Sequence, residues 1–137
     1  MSSDCIFCKI VQRQAESSLV FEDDQVIAFM DIRPVSEGHT LVIPKQHYVD
    51  IFDIPENVLA STYSATKQVA VAVKKATKAD GISIVQQNGS AAGQEIFHLH
   101  VHIIPRFEGR KMPRFSDLGI ADRETLEKAA FAIRNQL

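Results

Sequence analysis

His98-Leu99-His100-Val101-His102 places an imidazole at every second position of an apolar run. Side chains two apart in a strand share a face, so this run predicts three imidazoles on one face and Leu99, Val101 and Ile103 in the core on the other. Such a row suits two chemistries. One is a metal site in which the rings converge on zinc. Hydrolytic centres of that kind add carboxylates, and no Asp or Glu follows within the strand. The other is attack on phosphorus by a neutral imidazole, whose ordinary pKa of about 6.5 leaves it unprotonated near pH 7. The flanking rings would orient it and donate protons, and this second reading is the stronger. A further pair, Cys5-Ile6-Phe7-Cys8, sets two thiols at zinc-knuckle spacing. Two more ligands must come from elsewhere, and His47 is free to supply one. The alternatives are two reduced, partly buried thiols without metal or, less favoured, a redox pair, which normally opens a helix after a strand.

The elements that must hold these residues follow from apolar patterning. Ser18–Glu22 and Val26–Met30 read as strands joined by a turn at Asp23 and Asp24. A loop over Pro34–Gly38 leads to the strand Thr40–Ile43, which Pro44 ends. Pro55 suits the first turn of a helix running from Glu56 to about Lys78. Leu59, Tyr63, Val69, Val73 and Ala76 would form its buried stripe, with Gly81 as the stop. Ile82–Val85 and Phe97–Ile104 are two further strands around the loop Gln86–Gln94, with Pro105 closing the second. Ala121–Gln136 is expected to be a C-terminal helix capped by Asp122. The expected fold is α+β: a largely antiparallel five-stranded sheet, one long helix and a C-terminal helix.

With 137 residues, 45 % of them hydrophobic and 23 % charged, the chain has the composition of one globular domain. A net charge of −2 offers no basic field for nucleic acid. No apolar stretch approaches the roughly 20 residues of a membrane span. Met1-Ser2-Ser3-Asp4 lacks the pattern of a signal peptide, and two cysteines make a poor disulfide framework. A reducing, cytoplasmic setting is expected.

The run His98-Leu99-His100-Val101-His102-Ile103-Ile104 resembles the signature of the histidine-triad (HIT) nucleotide hydrolases and transferases, in which three histidines alternate with apolar residues. The resemblance extends through Asn88-Gly89, Gly93-Gln94 and Phe29-Met30-Asp31-Ile32-Arg33-Pro34 to Gly38-His39. It covers a core of about residues 5–106 in a single HIT-like domain over 1–137, and leaves a C-terminal tail and helix over 109–137 unplaced. It implies that His100 attacks the α-phosphate of a purine nucleotide conjugate and is transiently nucleotidylated, after which water releases the nucleoside monophosphate. His102 would bind the phosphate and assist the leaving group, while His98 and His39 would fix ring orientation behind the nucleophile. An acceptor on the backbone of a neighbouring strand could hold the nucleophile's other nitrogen.

The resemblance also implies that Asp31 accepts hydrogen bonds from the ribose hydroxyls, for which a carboxylate offers two oxygens; the plain alternative is a turn residue at a strand end. Ile32 and Phe29 could wall the base. Asn88 and Gln94 would lie near the phosphates, with Gln87 a further candidate, though so polar a loop also suits a solvated connection. Arg106 and Arg110 read as exposed, solvated side chains. The branch of the family with this cysteine pair implies a structural zinc on Cys5, Cys8, His47 and His98, so that His98 would support both metal and active site. The expected activity is hydrolysis of nucleoside phosphoramidates or related adenylate conjugates. The alternatives are dinucleoside polyphosphate hydrolysis, a nucleotide sensor or scaffold with vestigial hydrolysis, and metal-dependent hydrolysis on the triad. The expected partners are a small purine nucleotide and a second copy of the chain in a two-fold dimer, with the long helix and a strand edge at its interface.

Overall fold

Val26–Met30 buries all five of its side chains, and so does Thr40–Pro44, because both faces of the sheet they build are covered. The computed structural model describes residues 4–137; the reading of Met1–Ser3 as lacking a signal pattern lies outside them. Its strands are β1 (Leu19–Glu22), β2 (Val26–Met30), β3 (Thr40–Pro44), β4 (Gly81–Gln86) and β5 (Val101–Arg106), and its helices are α1 (Ile6–Val11), α2 (Glu56–Thr77) and α3 (Arg123–Arg134). The sheet order is β1-β2-β3-β5-β4, and every neighbouring pair is antiparallel. The expected α+β architecture is therefore present. Asp23 closes the β1–β2 turn by accepting from the backbone N–H groups of Gln25 and Val26, each at 2.8 Å. Among the described residues no helix is long and apolar enough to cross a membrane.

Alternation along the strands sorts the core into two layers. Val26, Ala28, Met30, Val42, Val101 and Ile103 face one way, against α2 and α3. Ile27, Phe29, Leu41 and Ile43 face the other way, against Phe7 and Ile10 of α1. Leu99 joins the first layer, so the three histidines that alternate with Leu99, Val101 and Ile103 lie on the α1 side. That single assignment decides where the chemistry sits.

Several boundaries differ from the sequence expectation: β3 takes in Pro44, which pairs with Val26, and α3 is the shorter Arg123–Arg134. β5 begins at Val101 rather than Phe97: Leu99 N–H donates to the carbonyl of Tyr48 at 2.7 Å, outside the sheet. Pro105 lies inside β5 instead of ending it, because pairing with β3 stops at Ile103 and only β4 flanks the strand there. α2 ends about where expected, at Thr77, with Lys78 as a left-handed cap (φ 58°) that donates its backbone N–H to the carbonyl of Lys74, but Gly81 opens β4 instead of stopping the helix. The buried stripe of α2 includes Thr62 and Thr66, while Tyr63 is exposed. Both threonine hydroxyls return to carbonyls one turn back at 2.8 Å, which allows them to be buried. α1 was not expected from the sequence; Cys5 is its N-cap, the Sγ accepting from the N–H of Cys8.

The loop that delivers His39 to the sheet depends on Gly38. Its φ of +102° lies outside the range of L side chains, and a Cβ there would stand 2.5 Å from Cγ2 of Thr77. Gly38→Ala is expected to lower unfolding stability by about 2–4 kcal/mol in urea titration. Gly119→Ala, where a Cβ would meet nothing within 4 Å, should stay within about 0.5 kcal/mol of the parent chain.

Candidate functional site

The three histidines of β5 and its approach are buried, and each has a different hydrogen-bond partner. His98 donates from Nε2 to the carbonyl of Pro44 at 2.8 Å, which leaves the lone pair on Nδ1. His100 donates from Nδ1 to the carbonyl of His98 at 2.8 Å, which leaves the lone pair on Nε2. The acceptor that fixes His100 is thus on its own strand approach, two residues back, and not on a neighbouring strand. His39 accepts from the N–H of Val35 on Nδ1 at 3.0 Å, so its proton sits on Nε2. That nitrogen is 2.9 Å from Nδ1 of His102, which must accept and therefore carries its own proton on Nε2. His39 consequently orients His102, while the backbone of His98 orients His100.

Burial keeps these rings neutral. It lowers His102 and His98 to about 4 and His39 to about 3, and it lowers His100 as well. At neutral pH the site therefore presents a lone pair on Nε2 of His100 beside an N–H on Nε2 of His102, with ring centroids 5.0 Å apart. Asp31 completes this corner: Oδ2 is 3.4 Å from Nε2 of His39 and 3.9 Å from Nδ1 of His102, and Oδ1 accepts from the N–H of Arg33. Burial raises the Asp31 carboxyl to about 6.

His100 and His102 line a cavity of about 630 Å³. Its apolar wall comprises Ile6, Phe7, Ile10, Phe29, Leu41 and Ile96; Asp31, Ile32 and Gln87 also line it. Volume and lining suit a purine nucleotide, with one flat apolar group and a polar end. Asn88 and Gln94 do not line it. Asn88 Oδ1 accepts from the backbone of Ile51 at 2.8 Å, and Gln94 braces the loop through Gly89, Val49 and Ile96. Their amides are spent on shaping the loop that carries Gln87. Arg106 donates to Ser83 and Arg110 lies over the Phe107 ring, so neither points into the cavity. Sequence reasoning missed Ile6, Phe7 and Ile10 as wall residues. The i, i+3 and i, i+4 spacing among them was the available signal, overshadowed by the cysteines around them. It also missed Phe115, whose ring centroid lies 6.0 Å from that of His102; nothing in the tail's pattern marks it.

Cys5, Cys8, His47 and His98 form a second cluster beside His100, with their donor atoms all within 4.8 Å of one another. A tetrahedral zinc sets a bound sulfur and nitrogen about 3.6 Å apart, given bonds of about 2.3 and 2.05 Å. Here Nδ1 of His98 is 3.5 Å from Cys5 Sγ and 3.6 Å from Cys8 Sγ, and Nδ1 of His47 is 3.2 Å from Cys8 Sγ. The donor set and its spacing fit the metal, and the Pro44 carbonyl holds His98 in the tautomer a metal needs. His98 can serve both sites because its ring faces the thiols and its carbonyl faces His100.

The HIT domain model matches residues 12–109 of the chain. The crystal structure of a Hit-like protein involved in cell-cycle regulation from Bartonella henselae is similar with a TM-score of 0.92 and 44 % identity, covering 100 % of this chain and 99 % of that one. A Zn-bound histidine triad family protein from Mycobacterium smegmatis is similar with a TM-score of 0.86 and 36 % identity, over 97 % of this chain and 92 % of that one. The adenylylsulfatase HINT3 of Arabidopsis thaliana is 42 % identical over 108 residues, which are 79 % of this chain and 55 % of that protein.

The raised pKa of Asp31 makes a signed prediction. A proton held more tightly in the folded chain stabilises it fully below the ordinary value of 3.8, and that contribution is lost as the pH rises through about 6. Asp31→Asn removes the titration. Its stability relative to the parent chain should therefore rise by about 2–3 kcal/mol between pH 4 and pH 7. Urea titrations across that range check this; a difference that stays flat with pH contradicts it.

Proposed function

The chain belongs to the HIT family of nucleotide-binding hydrolases and transferases, and from that premise we propose that it hydrolyses purine nucleotide conjugates at the α-phosphate, with phosphoramidates of adenylate as preferred substrates. One observation carries this reading: the opposed tautomers of His100 and His102, a lone pair and an N–H side by side at the polar end of an apolar-walled cavity.

The base packs against Phe7, Ile10 and Phe29, and Asp31 accepts from the ribose hydroxyls. Ile32 and Gln87 flank the sugar and phosphate. The leaving nitrogen takes its proton from solvent, because Nδ1 of His102 accepts from His39 and that ring has no second proton to give. Nε2 of His100 attacks phosphorus as the bond to the protonated leaving nitrogen breaks, and the N–H on Nε2 of His102 donates a hydrogen bond to a phosphate oxygen. Nδ1 of His100 keeps its proton on the His98 carbonyl, which offsets the positive charge on the nucleotidylated ring. Water then attacks phosphorus, the bond to His100 breaks so that its Nε2 recovers the lone pair, and the proton of water passes to solvent. His39 holds His102 in line through both steps. The dinucleoside polyphosphate and adenylyl sulfate reactions would use the same site with an oxygen leaving group, the second in keeping with the name of the Arabidopsis relative.

Cys5, Cys8, His47 and His98 would hold a structural zinc that stiffens the backbone behind His100; the similarity to the Zn-bound mycobacterial protein supports this. Zinc thiolates persist in a reducing compartment, which favours the cytoplasm. The free edge of β4, with Ile84 exposed, and the exposed Tyr63 and Val71 of α2 suit a two-fold dimer.

His100→Ala is expected to reduce turnover of adenosine phosphoramidate by at least about 10³-fold with the far-ultraviolet dichroism unchanged. Parent protein quenched in base during turnover should carry one nucleotidyl group on His100 by mass spectrometry. Substantial turnover by the variant refutes the mechanism, and faster turnover of diadenosine polyphosphates by the parent would refute the substrate preference. Metal analysis should find about one zinc per chain, lost in Cys8→Ser.

A further inference from the structure

The metal cluster and the nucleotide cavity share α1. A helix of six residues has no stability of its own, so its position is set by what its side chains touch. Cys5 and Cys8 turn to His47 and His98. Ile6, Phe7 and Ile10 turn to the cavity. Whatever grips the thiols therefore places the apolar wall.

Phe7 ties this arrangement to the reacting atoms. Its ring lies edge-on to His98 at 5.9 Å, to His100 at 5.1 Å and to Phe29 at 5.4 Å between centroids, and it is buried. A second connection runs through His98, which faces the thiols with Nδ1 and holds His100 through its carbonyl. The cluster thus reaches the nucleophile by one packed ring and by one backbone hydrogen bond. Residues 12–109, the span matched to the family domain, leave α1 outside, so this connection is additional to the matched core.

We propose that Phe7 is a positioning residue through which the Cys5–Cys8–His47–His98 cluster and the nucleotide cavity are energetically coupled, so that zinc in the cluster tightens nucleotide binding and nucleotide tightens zinc. The inference rests on the zinc reading above and adds reciprocity to it. Any factor by which zinc strengthens nucleotide binding must equal the factor by which nucleotide strengthens zinc binding. Phe7 acts on His100 by contact, so its truncation lowers kcat as well as raising KM. A residue that only walls the base would change KM alone.

The test uses the full chain with zinc, a chelator and adenosine monophosphate. Calorimetry on the zinc-loaded and metal-stripped chain should show nucleotide affinity falling about 10-fold without zinc, and chelator competition should show zinc affinity rising by the same factor with nucleotide. In zinc-loaded Phe7→Leu, metal content is retained, the mutual effect falls to about 2-fold, the part carried through His98, and kcat falls along with the rise in KM; coupling as strong as in the parent overturns the role of Phe7. If stripping unfolds the chain, zinc release from the loaded protein to a chelator decides the matter: nucleotide should slow it about 10-fold in the parent and only about 2-fold in Phe7→Leu. A chain that takes up no zinc overturns this inference and the zinc reading together. A chain that holds zinc, with nucleotide affinity and zinc release indifferent to one another, overturns the coupling alone.

Discussion

Each buried imidazole of this protein has one nitrogen tied to a fixed partner, and that constraint determines what its other nitrogen can do. A neutral ring carries one proton, so a carbonyl that accepts on one side forces a lone pair on the other, and a donor forces the reverse. The Pro44 carbonyl leaves His98 a lone pair facing the thiols, the His98 carbonyl leaves His100 a lone pair facing the cavity, and the Val35 N–H starts the chain that leaves His102 an N–H there. Desolvation protects the arrangement by disfavouring the charged forms that would erase the distinction.

The fold supplies these partners from separate places. β3 brings the Pro44 carbonyl against His98. Gly38 allows the loop before β3 to curl back so that His39 reaches both Val35 and His102. The crossover through α2 leaves a gap between β3 and β4, and β5 fills it one strand in from the edge, where neighbours on both sides hold Val101–Ile103 in register. α1 then closes the face that α2 and α3 leave open, with its thiols at one side and its apolar wall at the other.

Much of this was legible from local pattern. Short continuous apolar runs marked β2 and β3, and Asp23 and Asp122 announced a turn and a helix cap through their side-chain chemistry. The α1 helix was not legible because six residues carry too little periodicity, and its capping group is a thiol instead of the usual hydroxyl or carboxylate. The ends of β5 were misplaced because alternation continues through Phe97–Ile104 although ladder pairing does not: side-chain pattern reports burial, while strand length depends on which neighbours are present. Asn88 and Gln94 suited a phosphate loop by residue type, yet their amides satisfy backbone groups of Ile51, Val49 and Gly89, which no local pattern places beside them.

By itself the sequence determined that three imidazoles share a face opposite Leu99, Val101 and Ile103, since alternation is a property of consecutive residues. It determined equally that two thiols stand at zinc-knuckle spacing, with two residues between them. Only the tertiary structure decided which imidazole presents a lone pair to the cavity, which presents an N–H and which faces the thiols. Identical side chains acquire different protonation only through their partners. Here those partners arrive from β3, the loop at Val35 and the N-terminal helix, 93 residues from His98 in the case of Cys5.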